Sequence, residues 1–441
     1  MIRPIGRIVV ALAAMILLGM IFGASLWLYA GYAATGLVLV SRYLAASWTR
    51  NVLITRRSGG MEVDLGSSTT IQVTVRNQGR IPILWLLVED LLPRTALIFQ
   101  PPALEVHGER LRVLMLWPGQ QQQLLYRLTC NRRGYFQIGP TVLETGDLFG
   151  LQRNYRVGAE PQFLLVLPRI VPLSGYEIAS TRPVGEIKMR ERFLDDPTRL
   201  QGIREWQPGD AMKQIHWPAT ARTGLLHSKV YEPSSVAGVT LVLDFHRQAN
   251  PRQHEPVRSE LAVTAAASIA AFIYEMNQPL GVVSNGRDAA DRISSDGWAG
   301  DFRTRAIAAQ QASMANTSDR LRPVVQTAGR GPSNFQDIQR LLARLELSDG
   351  LRLEQLLVES AHRLARETTI VIIAQFVGEE TTAALLQMRR RGWALAVILN
   401  VYDDELYSRT AGPLIGGRVP VLQLKGEQQI GDICRQFAIT Q

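Results

Sequence analysis

From Ile8 to Ser41 the chain carries no charged side chain, and those 34 positions limit its fold more than any other stretch. As one straight helix they would run about 51 Å at 1.5 Å per residue. The hydrocarbon core of a bilayer is only about 30 Å thick, so one helix overshoots it. Two shorter helices folded as a hairpin fit better, with the second running past Arg42 to about Trp48. Arg3 and Arg7 precede the stretch, and Arg42, Arg50, Arg56 and Arg57 follow it. Positive charge on both flanks puts both ends in the cytoplasm. Gly19, Gly23, Gly31 and Gly36 supply small residues for close helix approach or for the turn. A cleaved signal peptide would have an apolar region of only about 7–15 residues, and this one is too long. A single-pass anchor with the rest of the chain outside the cell, acting as a surface adhesin, is the competing reading.

Composition narrows the rest. A chain of 441 residues holds several domains. Its 46% hydrophobic content excludes bulk disorder, and the lack of many long apolar runs excludes a polytopic transporter. The net charge is +9, and four of the 48 cationic side chains are lysines, which leaves 44 arginines. That charge is spread along the chain instead of clustered, which argues against a nucleic-acid partner. Two cysteines, Cys130 and Cys434, exclude a disulfide framework and a thiolate zinc site.

Residues 51–170, after the anchor at 1–50, read as a β-sandwich. Apolar and polar residues alternate strictly from Thr70 to Arg76, the period of a half-buried strand. Further strands fit Leu84–Glu89, Leu111–Trp117, Gln123–Cys130, Tyr135–Ile138, Thr141–Thr145 and Phe163–Leu167. Pro118-Gly119 and Gly139-Pro140 punctuate them. Short strands at this spacing predict an immunoglobulin-like sandwich without the Cys–Trp–Cys signature.

Residues 171–236 hold the most unusual side chains: Arg204, Trp206, Asp210, Lys213, His216, Trp217, Arg222 and Lys229. Pro208-Gly209-Asp210 is a tight turn, with Asp210 placed to cap a short helix over Ala211–Ile215. A structural reading buries the tryptophans, pairs the charges and satisfies His216 at a packed junction. A binding reading makes Lys213, His216, Arg222 and Lys229 a surface for an anion or acidic partner. A third reading is a hydrolase using Asp210 and His216, although no nucleophile stands at a recognisable spacing.

Residues 237–441 alternate strands and helices. Gly238–Asp244 is a continuous apolar strand ending in an acid, the pattern of a buried parallel strand. Helices fit Ser259–Asn277, Asn334–Leu345, Leu353–Arg366, Glu379–Arg391 and Glu427–Phe437; strands fit Leu280–Ser284, Thr369–Gln375, Ala394–Asn400 and Val419–Leu424. The spacing predicts a doubly wound α/β sheet with functional loops near Asp244 and Gln375. Residues 286–320 read as an insertion around one helix, Phe302–Met314. Neither a phosphate loop nor a dinucleotide fingerprint is present, so ATP hydrolysis and dinucleotide chemistry lose their support and no cofactor is expected.

These motifs together resemble the bacterial domain-of-unknown-function family 58. Arg132-Arg133-Gly134 and Ile138-Gly139-Pro140 match one family element. Asp147-Leu148-Phe149-Gly150-Leu151 matches another, with Leu148 in place of Pro. Arg204 to Asp210 matches a third, with Trp206 for Tyr, and Ile215 to Gly224 a fourth, with Pro218 where Lys is usual. The resemblance implies a double transmembrane segment, a β-rich domain, the central motif and a von Willebrand factor A-like fold. It also implies a protein of the bacterial inner membrane with a large cytoplasmic part. Members are often encoded beside MoxR-type AAA ATPases and have no settled enzymatic activity. The expected function is therefore a non-enzymatic scaffold or adaptor, with the lipid bilayer and a MoxR-type AAA ATPase as partners. A von Willebrand-type metal site needs Asp-x-Ser-x-Ser after the first strand, because a hard cation takes oxygen ligands. Here the run is Asp244-Phe245-His246-Arg247-Gln248, and Gln375 stands where a second acid would be. Asp244 is thus the remnant of a degenerate site, and no metal is expected.

Overall fold

The computed structural model describes residues 13–17, 19–21, 25–98, 101–147, 153–173, 195–207, 215–233, 238–291, 321–364 and 368–433. They fall into two compact units. The first takes residues 1–169 with 288–318 and 340–345; the second takes 170–287 with 319–339 and 346–441.

In the first unit, residues 13–17 and 19–21 are helical and precede helix α1, Ser25–Arg50. The two stretches meet at their glycines: a Cβ on Gly31 would come within 2.6 Å of Ile16, and one on Gly19 within 3.2 Å of Leu28. On α1, Leu26, Trp27, Tyr29, Tyr32, Leu39 and Val40 are exposed, whereas Ala45 and Trp48 are buried. Trp48 belongs to the core of the sandwich that follows. Arg156 donates to the carbonyls of Thr49 and Arg50, acceptors that every helix C-terminus leaves open, and to that of Val52 at the start of the following strand, at 3.0–3.4 Å.

The sandwich strands are β1 Val52–Ser58, β2 Glu62–Asp64, β3 Ser68–Asn77, β4 Ile83–Asp90, β5 Leu104–Gly108 and β6 Leu111–Leu116. They continue with β7 Gln121–Cys130, β8 Gly134–Ile138, β9 Thr141–Gly146, β10 Arg153–Ala159 and β11 Gln162–Leu167. Two four-stranded sheets form, ordered β1-β3-β7-β5 and β10-β9-β4-β6, with a three-stranded sheet β2-β11-β8. The period-two pattern does what it predicts: Ile71, Val73 and Val75 are buried, while Thr70 and Arg76 face out. Every strand expected between 51 and 170 is present. Residues 148–152 of the Asp147–Leu151 element lie outside the described residues.

Inside the sandwich, Arg56 pairs with both oxygens of Asp90 and donates to Thr141 Oγ1, Ile138 O and Glu160 O. Asp90 also accepts from Tyr126 Oη at 2.7 Å. Burial, with Asp90 alongside, pushes the Tyr126 phenol well above its usual range. Gly139 has φ +88, and a Cβ there would run into the Arg56 guanidinium, which accounts for the glycine of the Ile138-Gly139-Pro140 element. Arg133 of the Arg-Arg-Gly element donates to the carbonyls of Leu342, Ala343 and Leu345 at 2.9–3.3 Å, within the same unit. Cys130 is fully buried and burial pushes its thiol up to about 11, which makes it an unreactive core side chain in the folded sandwich.

The second unit begins with an antiparallel ribbon of β12 Asp195–Glu205 and β13 His227–Pro233, with helix α2, Trp217–Thr223, between its strands. Then comes a six-stranded sheet of β14 Gly238–Leu243, β15 Leu280–Ser284, β16 Val324–Gly329, β17 Thr368–Ala374, β18 Leu395–Leu399 and β19 Val421–Gln423. The order is β16-β15-β14-β17-β18-β19, parallel throughout except for β16. That is the doubly wound order, three strands out one way and three the other. Helices α3 Val257–Glu275, α4 Pro332–Arg344 (of which residues 340–344 belong to the first unit), α5 Leu353–Ser360, α6 Glu379–Arg390 and α7 Asp404–Gly416 connect the strands. Every residue of β14, β15 and β18 is buried, as continuous apolar runs require.

Two expectations change. The helix from Leu353 ends at Ser360, where Ser360 Oγ turns back onto Leu356 O. The closing helix is a 3-10 turn, Glu427–Asp432, and residues beyond 433 lie outside the described residues, as does the helix expected at Phe302–Met314. Among the described residues, the helix long and apolar enough to cross a membrane is α3, and 67% of its apolar window is buried in this unit.

Candidate functional site

The stretch from Ile215 to Gly224 resolves into a helix with both ends sealed. Ile215 is buried and bridges Ser228, and His216 N donates to His227 O at 2.8 Å, so the chain enters α2 pinned to β13. His216 Nδ1 then accepts from Ala219 N at 3.1 Å, the hydrogen bond of an N-cap. That contact puts the ring proton on Nε2. Pro218 sits in the first helical turn, where no amide donor is required, so proline suits the backbone there. At the other end Gly224 takes φ +74 and its N–H returns to Thr220 O at 3.0 Å. The spacing from His216 to Gly224 is thus a two-turn helix with its start and stop signals.

Arg204 lies on β12 opposite Ser228 and donates to Glu205 O at 3.1 Å; Lys229 lies on β13 opposite Ile203. Arg222 is exposed in the last turn of α2. Ribbon and helix together carry Arg204, His216, Trp217, Arg222 and Lys229. Asp210, Lys213 and nearly all of the short helix expected at 211–215 lie outside the described residues. The expectation of a buried Trp217 is corrected: it is 64% exposed, and Leu225 and Leu226, beyond the other end of the helix, are 59% and 45% exposed. No residue of α2 is buried, so its tryptophan has no core to enter.

Asp244 belongs to a different feature of the same unit, the carboxyl edge of the sheet. It is 4% exposed, and its Oδ1 accepts from Asn285 Nδ2 at 2.8 Å and His246 N at 3.1 Å. Burial raises its carboxyl above the usual range, and those two hydrogen bonds offset only part of the effect. Asn285 Oδ1 in turn accepts from Phe245 N at 2.6 Å. Asn250 Nδ2 donates to the carbonyls of Asp244 and His246, and Gln375 Nε2 donates to Asn250 Oδ1 and Glu255 Oε1.

These residues do not fit a magnesium or calcium ion. His246 and Gln248 carry no hydroxyl or carboxylate, and Gln375 turns its Nε2 hydrogens toward Asn250 and Glu255, so Asp244 lacks the several oxygen ligands that such an ion takes. Among the described residues, no three His, Cys, Asp or Glu side chains converge. Asn285 cannot be picked out from local sequence, because its partners Asp244, Phe245 and Leu351 lie far away along the chain.

A family model described as "Protein of unknown function DUF58" matches residues 202–406, a little under half of the chain. "Uncharacterized protein YeaD" of Bacillus subtilis (strain 168) is 23% identical over 215 residues, 48% of this chain and 52% of that protein. The chain therefore spans about half the length of the curated relative it matches. Among solved structures, the VWA domain of SpRpn10 aligns at TM-score 0.30 and 13% identity, over 46% of this chain and 95% of that one. The CARDB domain of a Pyrococcus furiosus protein aligns at TM-score 0.18 and 15% identity, over 26% of this chain and 91% of that one.

Proposed function

We propose that the chain is a membrane-anchored, non-enzymatic scaffold of the DUF58 kind that docks a protein partner, with a MoxR-type AAA ATPase the partner to test first. One observation carries this reading. Trp217, the largest side chain of the matched motif, stands out to solvent at the start of a helix whose backbone ends are already satisfied, and Leu225 and Leu226 just beyond its far end are exposed too. Exposed tryptophan on a rigid frame is the composition of a binding hot spot. His216, the base that a hydrolase would need, is engaged through Nδ1 in capping that helix.

Anchoring rests on α1 and the stretch before it. The close approaches of Gly31 to Ile16 and of Gly19 to Leu28 share one antiparallel register, as the two arms of a helical hairpin would have. The lipid-facing part of α1, from Ser25 to Val40, would extend about 24 Å. Arginines on both flanks favour cytoplasmic ends, so the soluble units would lie in the cytoplasm at the inner membrane.

Co-purification from native membranes tests the scaffold. The wild type should capture the ATPase, with equal yield in the presence of a chelator, and Trp217→Ala with Leu225→Ala should lose most of that yield. Undiminished capture by the double variant would sink the reading. Protease added to intact spheroplasts should leave the region after Trp48 uncut; digestion there would move it to the other side of the membrane.

A further inference from the structure

Among the described residues, the carboxyl edge of the sheet holds a buried cation with no counter-charge. Arg258, in the first turn of α3, is 3% exposed. Its Nη1 donates to Asn400 Oδ1 at 2.9 Å and to the carbonyls of Leu424 and Lys425 at 3.2 Å each. Asn400 Nδ2 donates back to Arg258 O at 2.7 Å, so the side chain is clamped at the ends of β18 and β19. The Tyr402 ring covers the guanidinium, with Cζ 3.7 Å from its centroid, and Tyr402 itself is 65% exposed. Nη2 is buried and donates to nothing. No carboxylate among the described residues pairs with Arg258; nearby Lys425 pairs with Asp404 at 2.6 Å.

A buried charge is normally retained only where a partner compensates it. Four features here have the same sense: the unused Nη2 donor, the uncompensated charge, the positive N-terminal end of α3, and a position where doubly wound sheets receive ligands. A guanidinium is the side chain best suited to carboxylate and phosphate oxygens. We propose that Arg258 is the floor of an oxyanion site: an oxygen of a carboxylate or phosphate takes the Nη2 hydrogens, and Tyr402 turns off the guanidinium face to admit it. The anion could be free, or carried on an acidic side chain of a docking protein.

Thermal unfolding of the full chain in detergent, at constant ionic strength, tests the site with two probes: sodium phosphate and an octaglutamate peptide. The wild type should show a saturable rise in Tm that Arg258→Gln lacks. Tyr402→Ala removes the cation–π cover and should saturate at about two- to fivefold lower concentration. A response to phosphate but not to the peptide supports a free anion; a response to the peptide supports a carboxylate brought by a partner. Phosphate stabilises many proteins by exclusion from their surfaces, so an equal rise in Arg258→Gln would overturn the proposal. Should Arg258→Gln fail to fold, Tyr402→Ala decides: no saturable rise, or a midpoint unchanged from wild type, would overturn it equally.

Discussion

Arg56 and Arg258 are buried to almost the same degree, the first with a side chain 2% exposed and the second a residue 3% exposed. Their surroundings are opposite. Arg56 directs all five of its N–H donors to acceptors, two of them on Asp90, and Asp90 is further held by Tyr126 and Thr141. Arg258 crowds three acceptors onto Nη1 and leaves Nη2 empty. The closed network specifies one arrangement of the sandwich and has no capacity left for anything else. The open one retains bonding capacity at an edge where loops converge, which is why the ligand proposal attaches to it.

The strongest way to break this contrast is Asp90→Ala, which leaves Arg56 as unpaired as Arg258. The expected loss is about 3–5 kcal/mol, read by urea denaturation. Arg258→Met should cost less, about 1–2 kcal/mol, because carbonyl and amide acceptors lose a donor while an unpaired charge disappears. A loss from Arg258→Met larger than that from Asp90→Ala would reverse the comparison.

His216→Ala removes a cap from α2 and should cost about 1 kcal/mol, visible as faster hydrogen exchange at Ala219. Exchange at Ala219 identical to wild type would mean that the ring is free for chemistry.

Asp244 sharpens the contrast through pH. Its raised carboxyl takes up a proton in the native state at higher pH than in the unfolded chain. Its contribution to stability therefore falls as pH rises from the unfolded carboxyl value, about 4, through the native one, and returns on acidification. Asp244→Asn keeps an acceptor for Asn285 and His246 while removing the charge. It should match or exceed wild-type stability at pH 8, with the gap closing toward pH 4. A variant clearly weaker at pH 8 would mean that the charge has a partner, such as a cation. Trp217→Ala has the smallest effect, within about 0.5 kcal/mol, because the ring leaves no cavity in a core.

Patterns within one segment were readable from residues alone. The alternation at Thr70–Arg76 and the apolar runs at Gly238–Asp244 and Leu280–Ser284 became the strands they describe. Elements that depend on a distant partner were not. β12 is polar and irregular, and is a strand only against β13. Helix α7 contains Gly412 and Pro413, residues that ordinarily argue against a helix interior. Around the site, Asp244 stood out as an acid closing an apolar strand. Asn285 reaches it across 41 positions, and Arg258 meets Asn400 across 142, so neither could be found from local spacing. Trp217 was misjudged because its helix has no buried face. The cap at His216 was hidden because histidine is an uncommon residue for that position.

The junction at Trp48 and Arg156 has a mechanical consequence. The tryptophan is set into the sandwich core and the guanidinium grips the last carbonyls of α1, so helix and sandwich are joined without a swivel. A helix seated in a bilayer changes its tilt when the membrane thickens or thins. Seated there as proposed, α1 would act as a lever, and each degree of tilt would be passed to the attitude of the sandwich. A change in the membrane itself would then alter which face of that domain is presented to the aqueous side, with no ligand involved.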